Sequence, residues 1–157
     1  MNNQNQNLRE IIVPATINLN MEVKTKENAI SKLADMLYED GRINERSLFI
    51  QDILEREKVE TTDMGIGVAI PHGTSSSIVK NSIAIGRLTH PIAWDSRKEA
   101  KKISVIFLLA VCSENRDRTH LELISRIATL LLDDDFLDTL FHTTSKTELL
   151  LKIQSCI

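Results

Sequence analysis

Residues 103–111, Ile-Ser-Val-Ile-Phe-Leu-Leu-Ala-Val, decide the fold class of this chain. With Cys112 they hold its longest apolar segment, well short of the ~20 residues that cross a bilayer. A strand with almost no polar alternation has both faces covered, which in a single domain means helices above and below a sheet. Two shorter apolar runs upstream, Gly67–Ile70 and Ile83–Leu88, predict partner strands. The connection His90–Lys102 carries Pro91 and Asp95-Ser96, which predict an irregular link or hairpin. Further out, Ile17–Met21 alternates apolar and polar residues, as a short edge strand does.

Helices account for the remainder. Thr25 is placed to cap a helix whose apolar stripe is Ala29, Ile30, Leu33, Ala34 and Leu37, with Gly41 to end it. Asn44 is expected to cap a second, with Leu48, Phe49, Ile53 and Leu54 inward and the charged run Glu55–Lys58 at its far end. Thr119 opens a third, with Leu121, Ile124, Ile127, Ala128 and Leu131 on one face. Asp133–Asp135 opens a short helix, and Ser145 with Glu148 is a capping-box pair for the last one. The fold class is therefore α/β: a single domain, a mixed β-sheet with helices on both faces. Residues 1–10 are a frayed polar N-terminus and 11–157 form the domain.

Bulk properties exclude several functions. At 157 residues, 42% hydrophobic and 26% charged, the chain suits one soluble domain with a real core. A net charge of −3 gives no reason to bind nucleic acid, and the small groups Arg97–Lys98 and Lys101–Lys102 suit a solvated hairpin. The polar start lacks an apolar signal core, so a cytoplasmic location is expected, without membrane insertion. Cys112 and Cys156 lie far apart without CxxC spacing, and Cys112 reads as a small buried hydrophobe. No metal pattern, Walker loop or dinucleotide fingerprint is present, so neither metal nor cofactor is expected.

Chemistry concentrates at Met64–Gly73, MGIGVAIPHG, a short strand running into a turn that presents His72. Pro71 restrains the backbone before it, and Gly73 is expected to clear space for an approaching partner. A half-exposed imidazole so held is a nucleophile near neutral pH, although histidines also occupy polar turns without any role. His120 reads either as a polar residue near a helix start or as a second imidazole of the site. Arg56 is either a surface arginine paired with Asp52, Glu55 or Glu57, or a fixed cation for phosphoryl oxygens. Gly73–Ser77 offers hydroxyls and amides that would cradle an anion, or a plain polar loop. His90 and His142 read as surface residues.

Glu57, six residues, Met64-Gly65, two residues, then Val68-Ala69-Ile70-Pro71-His72-Gly73 resembles the active-site signature of a known family. That family is the fructose/mannitol-type EIIA domain of the phosphoenolpyruvate-dependent sugar phosphotransferase system. The likeness extends over nearly the whole chain, including Leu54–Glu57, Pro91–Asp95 and Thr119–Leu121. It implies that His72 takes a phosphoryl group from the carrier HPr and passes it to EIIB, with membrane EIIC an indirect partner. His120 and Arg56 would stabilise the phosphoryl oxygens, and no magnesium would be needed. Ile66, Val68, Ile70 and Ile78 would form a shallow docking surface. The Pro91–Asp95 stretch looks more like the fructose transport branch. The alternative is a nitrogen-type regulatory EIIA, whose His72 phosphorylation switches binding to a target protein. The serine-rich Ser75–Ser77 leaves partner preference open. With no EIIB-like cysteine loop and no EIIC segment, the chain is expected to be a separate EIIA subunit or a piece of a longer protein.

Overall fold

A computed structural model describes residues 8–95, 102–112 and 116–155. Ser96, the Arg97–Lys98 pair, Lys101 and Cys156, all considered above, lie outside the described residues. Among the described residues the strands are β1 (Ile17–Met21), β2 (Val68–Ala69), β3 (His72–Gly73), β4 (Ser82–Ile92) and β5 (Ile103–Ala110). The helices are α1 (Leu8–Ile11), α2 (Lys26–Glu39), α3 (Arg46–Val59), α4 (Arg116–Leu130), α5 (Asp134–His142) and α6 (Lys146–Ser155).

The sheet runs β1-β4-β5-β2, and β3 continues along the same side of β5. β1 is parallel to β4, β4 antiparallel to β5, and β2 and β3 parallel to β5, so the sheet is mixed as expected. Alternation along β5 divides the core in two. Val105, Phe107 and Leu109 meet Leu123, Ile127, Phe136, Leu140, Leu149 and Ile153 of α4, α5 and α6. Ile106, Leu108 and Ala110 meet Ile30, Leu33, Leu37, Phe49 and Ile53 of α2 and α3 on the other face. Each Val, Leu, Ile or Phe among them, fully buried, contributes roughly 1.5–3 kcal/mol against leaving it in water.

Local signals explain most helix ends. The Thr25 hydroxyl accepts from the Asn28 amide, 3.1 Å, and all five predicted stripe residues of α2 are buried. Gly41, at φ +71°, turns the chain out of α2 in the left-handed conformation that favours glycine. Asp133 caps α5 through the Asp135 and Phe136 amides, and the Ser145 hydroxyl accepts from the Glu148 amide, 3.1 Å.

Several expectations need correction. Leu8–Ile11 form a turn of helix, and buried Arg42 donates to the Glu10 and Ile11 carbonyls and to the Ser82 hydroxyl. The described part of the polar N-terminus is thus anchored. The residue before α3 is Glu45, because the Asn44 amide donates to the Ser77 carbonyl, 2.8 Å, beside an Ile43–Ile78 bridge. Strand β4 runs past Leu88 to Ile92 and includes Pro91, since a register irregularity between Arg87 and Ile92 removes the need for its missing amide. Helix α4 starts at Arg116 and turns Leu123, Ile127 and Leu130 inward, leaving Leu121 70% exposed.

Candidate active site

The edge where β2 and β3 lie beside β5 places His72. The peptides of Ile70 and Pro71 separate the two strands, and the Leu109 amide of β5 donates to the Pro71 carbonyl, 3.0 Å, before His72 pairs with Leu109. The half-buried imidazole holds its Nδ1 2.8 Å from the Ile70 carbonyl. A carbonyl only accepts, so Nδ1 carries the proton and Nε2 keeps its lone pair. One backbone bond two residues away thus selects the tautomer.

Helix α4 crosses the same end of the sheet and supplies His120, buried at 8% exposure. Its ring centroid lies 5.4 Å from that of His72, with the planes tilted by 56°. Arg56 occupies the last turn of α3, where a cation favours the helix dipole, and its Nη1 donates to the Glu60 carbonyl, 3.1 Å. His72, His120 and Arg56 line one open cleft of about 740 Å³ with Asp52, Glu55, Val59, Gly73, Thr74, Leu121 and Ile124. Three side chains from residues 56, 72 and 120 therefore meet across one space.

Burial is the main reason the His72 pKa falls below its ordinary 6.5. The Ile70 carbonyl opposes that shift, the Arg56 charge adds to it, and the Glu57 carboxylate opposes it. The imidazole is consequently neutral at physiological pH, the form that attacks an electrophile. Beside it stand an arginine and a second imidazole, both able to meet negative oxygens.

Gly73 does not clear space for a partner, as its position in sequence suggested. It is buried, and a Cβ there would lie 3.3 Å from Ile53 Cδ1, 3.5 Å from Arg56 Cβ and 3.6 Å from the Asp52 carbonyl oxygen. Its bare backbone lets β3 lie against α3, which brings His72 up to Arg56. The expected docking residues also change. Val68 and Ile70 are core, at 0% and 2% exposure, and Ile78 packs partly against the core; Ile66 alone of the four is exposed. The apolar rim is instead Val59 and Leu121, exposed beside the cleft, with Met64 and Ile66 exposed on the loop before β2. Ser75 and Ser77 turn inward and bond to each other, 2.7 Å, so of the hydroxyl residues in that turn Thr74 is the one lining the cleft.

Val59 and Leu121 were missed as rim residues because isolated apolar positions in helices look like core. Cys112 is half-buried, its amide bonded to Asn81 Oδ1, 2.7 Å, and it is not among the residues lining the cleft. His90 and His142 are exposed away from the cleft, as expected. Among the described residues, no group of three His, Cys, Asp or Glu side chains is arranged to hold a metal ion. Nor is any described helix long and apolar enough to cross a membrane.

Residues 10–156 match the family described as the phosphoenolpyruvate-dependent sugar phosphotransferase system, EIIA 2. The fructose-specific EIIABC component of Bacillus subtilis is 33% identical over 139 residues, 88% of this chain and 22% of that protein. The chain thus spans about a fifth of the length of that relative. A nitrogen regulatory protein of Bradyrhizobium diazoefficiens is 35% identical over 128 residues, 82% of each chain. The crystal structure of nitrogen regulatory protein IIA-Ntr from Neisseria meningitidis superimposes with a TM-score of 0.82 at 28% identity, covering 92% of this chain and 97% of that one. Signature, fold and cleft converge: the chain belongs to the EIIA type 2 family of the phosphoenolpyruvate-dependent sugar phosphotransferase system.

Proposed function

We propose that this domain is a cytoplasmic phosphocarrier of sugar uptake, in which His72 Nε2 accepts a phosphoryl group from phospho-HPr and passes it to an EIIB partner. The observation that carries this reading is the bond from His72 Nδ1 to the Ile70 carbonyl, which leaves Nε2 as the nucleophile. As the new N–P bond forms, the bond to the donor imidazole breaks and its electron pair returns to that ring. The transition state is loose, with charge spread over three equatorial oxygens, so positioning and fixed donors supply most of the rate. Arg56 and His120 are those donors. The product N–P bond is labile, so the group stays transferable to EIIB and onward to sugar at the membrane EIIC component.

Fructose is the sugar class that the Pro91–Asp95 stretch favours, in keeping with a fructose-specific relative. The nitrogen regulatory relative and structural neighbour support a second reading, in which phosphorylation of His72 alters binding to a target protein. Phosphoryl flow separates the two. With phosphoenolpyruvate, enzyme I and HPr present, label on His72 that drains to a cognate EIIB marks the carrier. Label that stays on His72 with every EIIB offered marks the regulator.

A further inference from the structure

Beside the cleft, and hidden from it, lies a buried carboxylate that phosphoryl chemistry does not require. Glu57 follows Arg56 in α3, so the two side chains diverge by about 100° around the helix. Arg56 faces the cleft while Glu57 turns inward to 5% exposure. Its Oε1 accepts from the Thr62 hydroxyl. Its Oε2 makes no hydrogen bond among the described residues, with Lys26 Nζ of α2 3.7 Å away. A carboxylate is costly to bury, and one partner hydroxyl with one ion pair at 3.7 Å repays that only in part. A purely structural position would be filled more cheaply by an apolar side chain.

What Glu57 reaches through Thr62 gives a buried carboxylate a use at this position. The Thr62 carbonyl accepts from the Ile70 amide, 3.0 Å, and the Ile70 carbonyl accepts from His72 Nδ1, 2.8 Å. The Met64 amide likewise donates to the Val68 carbonyl, 2.8 Å, and Asp63 bridges Ala69. Residues 62–64 thus form a short antiparallel strap on 68–70, and Glu57 pins the Thr62 end of it to α3. We infer that Glu57 is a positioning residue of this site: through Thr62 and Ile70 it holds the carbonyl that fixes the His72 tautomer. This rests on His72 being the phosphoryl acceptor. It ties the register of the imidazole to the helix that carries Arg56, so both move together. Proton transfer along the strap is not involved; its role is to hold a carbonyl in place.

The test reads the imidazole nitrogens directly. Nitrogen-15 spectra of the full chain at neutral pH are expected to show a single His72 tautomer, protonated on Nδ1. Thr62→Val, which removes one hydroxyl at nearly constant shape, and Glu57→Ala are expected to give a mixture of tautomers. Both should slow phosphoryl acceptance from phospho-HPr by about tenfold, as small misplacements of a reacting group do. Glu57→Gln and Thr62→Ser keep the bond and should restore a single tautomer, which a role resting on charge alone would not predict. Unchanged ring spectra and rate in folded Thr62→Val overturn the inference, and this variant decides alone if Glu57→Ala does not fold. If the tautomers shift as expected but the unsubstituted chain takes no label on His72, the strap stands and the phosphocarrier reading falls.

Discussion

Substitution at Gly73 tests how the cleft is assembled, because a side chain larger than a methyl would push β3 away from α3. In Gly73→Ala the new methyl meets Ile53 Cδ1 at 3.3 Å, the movable end of a side chain, while Arg56 Cβ and the Asp52 carbonyl stay beyond 3.4 Å. A shift of a few tenths of an ångström relieves it. The lower entropy of the unfolded chain offsets part of the cost, and the net change should stay within about 1 kcal/mol. Gly73→Val adds branches reaching about 1.5 Å further, into Arg56 Cβ and the Asp52 carbonyl, which belong to the body of α3. The strand must then withdraw, at about 1–3 kcal/mol of overpacking. A displacement near 1 Å between His72 and Arg56 should slow phosphoryl acceptance by up to about 10²-fold. Urea unfolding and initial rates of labelling by phospho-HPr measure the two effects on the same samples. A Gly73→Val protein as fast and as stable as the unsubstituted chain would refute this account of how the cleft is built.

Four further outcomes are expected. His120→Ala should still accept a phosphoryl group but pass it to EIIB slowly, since it removes a donor and leaves the nucleophile; unchanged transfer would return His120 to a packing role. Burial lowers the His72 pKa below 6.5, so the acid limb of phosphoryl acceptance should have its midpoint below pH 6.5. The unfolded chain then binds that proton first, so stability from this group falls as pH drops below about 6.5 and is unaffected above it, and His72→Gln should flatten that slope in urea titrations. Phe107→Ala empties a site between β5 and helices α4, α5 and α6, and should cost about 3–5 kcal/mol by urea unfolding.

The elements whose signals are local were legible in the sequence. Thr25, Asp133 and Ser145 announce their helices because each cap bonds an amide two or three residues away. The apolar run of β5 implied helices on both faces because nothing else would cover it. Contacts between distant residues were not legible. Gly73 is small because of Ile53 and Arg56 across the fold, not because of its neighbours in the chain. The resemblance implied that Val68 and Ile70 belong to a docking surface beside the half-exposed His72, yet both are buried. The serines after His72 suggest an anion cradle, but two of them bond to each other. Glu57 was visible as part of the signature, while the strap it anchors appears only when Thr62 and Ile70 are paired in space.

The most direct test of the central claim is phosphorus–nitrogen coupling in the histidine-labelled protein after phosphorylation through enzyme I and HPr. A single bond to Nε2 of His72, abolished in a folded His72→Ala variant, is the predicted result. Phosphorus on Nδ1, or on any residue other than His72, would contradict it.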